Sequence, residues 1–312
     1  QRGDMAYHRF EPQVYHTTIG THEPVLEIES GDRVSTTTVD ARGQDSNGDQ
    51  VTERGNPQTG PFAIKGAEPG DTLAVVLEEL RPNRSWGWTG TSLAANVLDP
   101  EYEASFEDDF EGSAKWMVDA EAGTAQLSKP EASPLCGIAL PLAPMVGCFG
   151  VAPPRGQAIS TSTSSTHGGN MDYRGFAAGV KVYFPVFVPG ALFFIGDGHA
   201  VQGDGEIVGT GIEISFDVTF TVELIKGAGE IGWPRAESDE YIMAVGNARP
   251  LDQCVQHATT EMVKWLQSGY GLDARTAHLL LGQSVEYDVG NMYDPAYTMV
   301  CKVRKSLLAR FK

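Results

Sequence analysis

Seven apolar residues fall at every second position of the run 211–225 (GIEISFDVTFTVELI): Ile212, Ile214, Phe216, Val218, Phe220, Val222 and Leu224. Successive side chains of an extended chain point to opposite sides, so a period of two predicts a strand with one buried and one polar face. The run 180–190 (VKVYFPVFVPG) alternates similarly through Val180, Val182, Phe184, Val186 and Val188, with Pro185 and Pro189 marking an edge or a strand end. Nearer the start, 25–41 reads as two β-rich runs joined by the tight-turn residues Ser30, Gly31 and Asp32, and 71–80 places Leu73, Val75 and Leu77 on one face. After Pro250 the period lengthens: Val255, Met262, Val263 and Leu266 are spaced as on a helix that stops near Gly269. A second helix is predicted from Asp273, a residue type suited to an N-cap, and carries Ala277, Leu280 and Leu281.

These elements predict a mainly β fold with C-terminal helices, its two β regions forming a sandwich or barrel-like pair. Thirty-six glycines and eighteen prolines spread along the chain agree with many turns and short strands. The organisation expected is an N-terminal β region (1–98), an exposed acidic excursion with a hairpin in it (99–134), a second β region (135–249) and a helical segment (250–312), all in one compact unit.

Composition narrows the function. A net charge of -18 with no basic stripe argues against nucleic acid as a partner. No apolar run approaches the roughly 20 residues needed to cross a bilayer, and the first residues lack a secretion-signal profile, so a cytoplasmic protein without membrane contact is expected. The four cysteines (Cys136, Cys148, Cys254, Cys301) show no CxxC spacing and read as buried thiols. Cys148, in the glycine-rich MVGCFGVAP, is the one with any resemblance to a nucleophile site, but no histidine partner can be nominated for it.

The candidate chemistry sits between the best strands. Residues 162–175 (STSSTHGGNMDYRG) and 193–213 (FFIGDGHAVQGDGEIVGTGIE) supply His167, Asn170, Asp172, Asp197, His199, Gln202, Asp204 and Glu206. Carboxylate oxygens with an imidazole nitrogen are a donor set for a divalent cation. Asp197 and His199 are two apart, so on a strand both face one site. The six glycines from Gly196 to Gly211 exceed the need of a solvated hairpin and suit a cleft whose backbone approaches a ligand.

The stretch from GGNMDYRG through VYFPVFVPGALFFIGDGHAVQGDGEIVGTGIE resembles the acetamidase/formamidase family. The N-terminal runs HTTIGTHEPVLEIESGDRVSTTTVDARGQ and NPQTGPFAIKGAEPGDTLAVVLEEL, the segment CGIALPLAPMVGCFGVAP and the tail LDARTAHLLLGQSVEYDVGNMYDP are similar to it as well. The resemblance covers nearly the whole chain apart from 99–134. It implies two swapped β-sandwich-like halves, hydrolysis of small aliphatic amides to a carboxylate and ammonia, and a divalent-metal site, with zinc the first choice and calcium an alternative. It also adds Asp40, at a predicted strand end, to the candidate ligands. On this footing Asp40, Asp172 and His199 are expected as ligands and Asp197 as a ligand or an orienting neighbour. Glu206 is expected as general base, with Glu213 able to exchange places with it, and Asn170 as a carbonyl or oxyanion donor. His167, Gln202 and Asp204 are expected to contact the substrate, and a homo-oligomer is expected.

Two other readings compete. The serine-rich STSSTHGG is reminiscent of amidase-signature serine hydrolases but lacks their glycine pair and a placed lysine. A non-catalytic, metal-stabilised β-sandwich that binds a small ligand would leave much the same sequence. The histidines His8, His16, His22, His257 and His278 read as surface or cap residues, and Trp86 and Trp88 as core or edge packing with a pocket wall as the lesser reading.

Overall fold

The computed structural model describes residues 5–106, 112–128, 133–227 and 231–311. Among them the chain is mainly β, with sheets of nine, seven and four strands, a further strand pair and the principal helices near the C-terminus. The nine-stranded sheet runs Tyr7–Arg9, Arg33–Thr38, Phe216–Ile225, Thr72–Pro82, Lys181–Pro185, Arg235–Glu237, Tyr241–Ala248, Tyr297–Arg304, Glu286–Asn291. Phe216–Ile225 is hydrogen-bonded on both sides, and Phe216, Val218, Phe220 and Val222 of the period-two run are fully buried. Ile212 and Ile214 are buried too but precede the strand, in irregular chain that the site below uses.

The seven-stranded sheet places Phe193–His199 between Met145–Val151 and Gln58–Ile64. It packs face to face on the nine-stranded sheet through rings: Phe62 and Phe193 lie 5.3 and 5.2 Å from Phe220, and Phe149 lies 5.5 Å from Phe184. Burying each such ring contributes about 1.5–3 kcal/mol. Both sheets mix strands from the first and second halves of the chain, so neither half completes a sheet alone.

Ser30, Gly31 and Asp32 join the two expected β runs, and the turn they make is a corner between sheets. Leu26–Ile28 joins Gln58–Ile64 in parallel, whereas Arg33–Thr38 pairs with Phe216–Ile225 in the other sheet. The Asp32 carboxylate stabilises the corner by accepting the N–H groups of Glu29 and Ala6 at 2.9 and 3.0 Å. A positive φ of 99° at Gly31 makes the corner cheap for glycine alone.

The helices follow the sequence closely. Leu251–Tyr270 ends on Gly271 in the left-handed conformation, and Asp273 caps Ala274–Ser284 by accepting the Thr276 N–H at 2.7 Å. Ala258, Met262 and Leu266 seal the outer face of the nine-stranded sheet against Ile242, Ala244, Cys301 and Val303. The expected hairpin of the acidic excursion is present as Ser113–Asp119 with Thr124–Leu127, joined to Trp86–Gly90; 107–111 and 129–132 of that excursion lie outside the described residues.

Candidate active site

The chain leaves the seven-stranded sheet at His199 and enters the nine-stranded sheet at Phe216, and the candidate site is built at this crossing. Asp197 and His199 are carried by Phe193–His199, all seven of whose residues are buried. Glu213 is fixed opposite by bridges to His199 and to Trp88. Asp172 follows Gly168–Asn170, and Glu206 lies in the loop whose Gly205 pairs with Asn291. Three of these carboxylates sit on left-handed backbone, with φ of 47° at Asp172, 60° at Asp197 and 48° at Glu206. Such strain in non-glycine residues persists only where the surroundings over-determine it, and it gathers at functional sites. Two glycines make room: a Cβ at Gly147 would collide with Asp172 Oδ1 and Asp197 Oδ2, and one at Gly211 would collide with the His199 ring.

Gln202 Oε1 lies 2.8 Å from His199 Nδ1 and accepts its proton, while Gln202 Nε2 donates to the Asp172 carbonyl at 2.5 Å. Nε2 of His199 therefore faces the carboxylates, 2.8 Å from Glu213 Oε1, 3.3 Å from Asp197 Oδ1 and 3.9 Å from Glu206 Oε1. Asn291 Nδ2 reaches Asp172 Oδ2 at 2.8 Å, Glu206 Oε2 at 3.1 Å and Asp294 Oδ2 at 2.7 Å. Asn170 Nδ2 donates to Asp294 Oδ2 at 2.6 Å, and its Oδ1 accepts from Asn56 at 3.0 Å.

Burial disfavours a charged His199, yet Glu213 and Asp197 outweigh it and hold the imidazolium well above the usual histidine range. Asp172 is raised well above the usual carboxylate range by burial and then by Glu206 and Asp197. Burial raises Glu206 likewise and pushes Glu213 up to about 8, in both cases against the pull of His199. Asp197 also suffers burial, but His199 beside it draws it below the usual range. One imidazole thus faces four carboxyl groups, of which Asp197 is held charged beside it while burial drives Asp172, Glu206 and Glu213 towards the neutral form. Asp172 Oδ1 and Glu213 Oε2 are buried with no hydrogen-bond partner, an arrangement that is costly unless positive charge answers it. Two groups, Asp172 with His199 and Glu206, and Asp197 with His199 and Glu213, each bring three donor atoms within 4.8 Å of one another. Imidazole nitrogen, carboxylates and orphaned oxygens together fit a divalent cation.

Of the residues singled out in the sequence, the structure brings together Asp172, Asp197, His199, Gln202, Glu206 and Glu213, with Asn170 at their edge. Asp40 lies outside both three-residue groups. Its Oδ2 is taken by Arg84 at 2.8 Å and Trp88 Nε1 at 3.1 Å, and its Oδ1 by the backbone N–H groups of Arg42 and Gln44, both at 3.0 Å, so it braces the Trp88 wall of the site. The Asp204 side chain is 60% exposed and pairs with Arg174 on the surface. His167 is fully buried away from the cluster's hydrogen bonds, neither ring nitrogen has a partner, and burial lowers its pKa to about 4. The Cys148 thiol is buried and pushed well up by that burial and by Asp197, against a thiolate nucleophile. An open groove of about 990 Å³ is lined by Arg84, Met117 and Asp217, and none of the cluster carboxylates lines it.

Sequence reasoning missed Asn56, Asn291 and Asp294. The GNMYDP run held the signal for the last two: a polar Asn and Asp closing a strand, distant in sequence and therefore unconnected to the rest without the sheet pairing.

Comparisons with known proteins identify what the chain resembles. The acetamidase/formamidase family model matches residues 2–157 and 155–295. The acetamidase of Mycolicibacterium smegmatis is 30% identical over 225 residues, covering 55% of this chain and 54% of that protein. The chain spans about half the length of the curated relatives it matches. Among solved structures, a predicted acetamidase/formamidase from Thermoanaerobacter tengcongensis has a TM-score of 0.82 at 30% identity, with 98% of each chain covered. An acetamidase from Yersinia enterocolitica has a TM-score of 0.82 at 33% identity, covering 98% of this chain and 94% of that one.

Proposed function

We propose that this chain, which belongs to the acetamidase/formamidase family, hydrolyses small linear amides to a carboxylate and ammonia at the cluster around His199. The observation that carries this reading is the pair of buried, unpartnered oxygens, Asp172 Oδ1 and Glu213 Oε2, beside a single imidazole. His199 with Asp172 and Asp197, the members of the two three-residue groups left once the glutamates are given to the proton, would hold a divalent ion there. The imidazole donor favours zinc, with calcium, which prefers oxygen alone, the lesser choice. When bound, such an ion lowers the pKa of water towards ~7 and polarises a carbonyl, the two aids an unactivated amide needs.

The chain's own residues do the rest. Gln202 fixes the imidazole so that Nε2 points at the carboxylates. Glu206 takes a proton from the attacking water at Oε1 and returns it to the leaving nitrogen, while its Oε2 is steadied by Asn291. Glu213 is the carboxylate that could exchange roles with Glu206. Asn170, whose Nδ2 is oriented by Asp294, borders the same space as a carbonyl donor. Asp40 supports the Trp88 wall instead of binding the ion. The mixing of strands from both halves of the chain in each large sheet supports reading the fold as two swapped sandwich-like halves.

The test is ammonia release from formamide and acetamide. Turnover should disappear after dialysis against a strong chelator and return with zinc. Full activity in demonstrably metal-free protein would end the metal-dependent mechanism.

A further inference from the structure

Asp294 stands apart from the other carboxylates of the cluster in three ways. It belongs to neither three-residue group suited to a cation. It is partly exposed, whereas Asp172, Asp197, Glu206 and Glu213 are all at most 5% exposed. Its carboxylate is immobilised: Oδ2 accepts from Asn170 at 2.6 Å and from Asn291 at 2.7 Å. Its backbone is held as firmly. Asn291 Oδ1 accepts the N–H groups of Tyr293 and Asp294 at 2.8 and 2.9 Å. From the outside, Arg249 donates to the Tyr293 and Asp294 carbonyls at 2.9 and 2.7 Å while lying 4.3 Å from the centre of the Tyr297 ring.

A primary amide entering the cluster brings two N–H donors along with its carbonyl, and a buried donor without an acceptor weakens binding. The inner carboxylates are committed to the cation site or to the proton. We propose that Asp294, at the solvent edge of the cluster, accepts an N–H of the substrate's carboxamide and so selects primary amides over carbonyl compounds that lack the donor. This rests on the amide-hydrolase reading and deepens it. Asn291, and Asn170 alongside its place as a carbonyl donor, hold one carboxylate oxygen so that the group cannot rotate away.

Asp294→Asn tests it, because the amide oxygen can still receive Asn170 and Asn291, which turns the new NH2 group towards the substrate's own N–H. With acetamide, kcat/KM should fall about tenfold to a hundredfold. With methyl acetate, which keeps the carbonyl but has no N–H, it should stay within about threefold, while metal content and melting temperature remain those of the parent. An equal loss on both substrates, or no loss on the amide, would overturn the assignment. If the variant does not fold, competition in the parent decides: methyl acetate should bind at least about tenfold more weakly than acetamide, and equal binding overturns the proposal. A metal-loaded parent that releases no ammonia from any amide removes the amide-hydrolase reading and this inference together. A parent that turns over, with a variant that loses equally on both substrates, removes the inference alone.

Discussion

Two buried charged sites in this molecule are built in opposite ways. Beneath the long helix, Arg235 meets Glu261 through Nε at 2.7 Å and Nη2 at 2.6 Å, Gly232 N–H supplies the other oxygen at 3.2 Å, and Trp265 lies 5.1 Å from the guanidinium. One cation answers one anion and both carboxylate oxygens are satisfied. In the His199 cluster, a single imidazole faces Asp197, Glu206 and Glu213, and two oxygens nearby have no donor. The first site closes on itself and serves the fold. The second is open to added positive charge, and folding alone gives no reason to retain it. Burial is common to both, so it is the unmatched donor count that separates a structural ion pair from a candidate active site.

The comparison breaks first at Glu206. Glu206→Gln is nearly isosteric and should lower amide turnover by about 10² to 10⁴ with bound metal and melting temperature unchanged. If the ion is lost as well, Glu206 is a ligand and Glu213→Gln becomes the variant that should lose proton transfer alone. Arg235→Met should do the reverse, leaving Glu261 buried without its cation and costing about 3–5 kcal/mol of stability while turnover per folded molecule holds. Urea unfolding alongside the amidase assay checks it, and Arg235→Met with Glu261→Leu should recover most of the loss.

His167 sharpens the contrast from a third side, as a buried ionisable group with no partner. Its pKa is lowered from 6.5 to about 4 by burial, so in the folded protein the ring stays neutral over a range where the unfolded chain binds a proton. Stability from this residue is present above pH 6.5 and is lost as the pH falls through about 4, an interval corresponding to ~3 kcal/mol. Denaturant midpoints measured from pH 7 to pH 4 should fall less steeply in His167→Gln than in the parent. Parallel curves would mean that His167 is charged or partnered when folded.

Local patterns were legible in the sequence; meetings across the fold were not. The period-two run located Phe216–Ile225, and Asp273 announced its helix, because alternation and capping are decided within a few residues. Asp197 and His199 could be put on one face for the same reason. The turn at Gly31 was legible but its being a corner was not, since a tight turn says nothing about which sheet receives the next strand. Asp40 entered as a candidate ligand through the family resemblance, and nothing local reveals that Arg84 and Trp88 hold its carboxylate; Asp294 went unnoticed because its partners, Asn170 and Asn291, are brought to it by sheet pairing.

If the His199 cluster differs from a structural ion pair by holding a divalent ion, its metal content must depend on the imidazole. Elemental analysis of the parent and of His199→Ala, each loaded with zinc and desalted, tests it most directly. Bound zinc is expected in the parent, with severe loss of it in a variant that still folds. Equal zinc in both proteins, or none in a parent that hydrolyses amides at full rate, would contradict it.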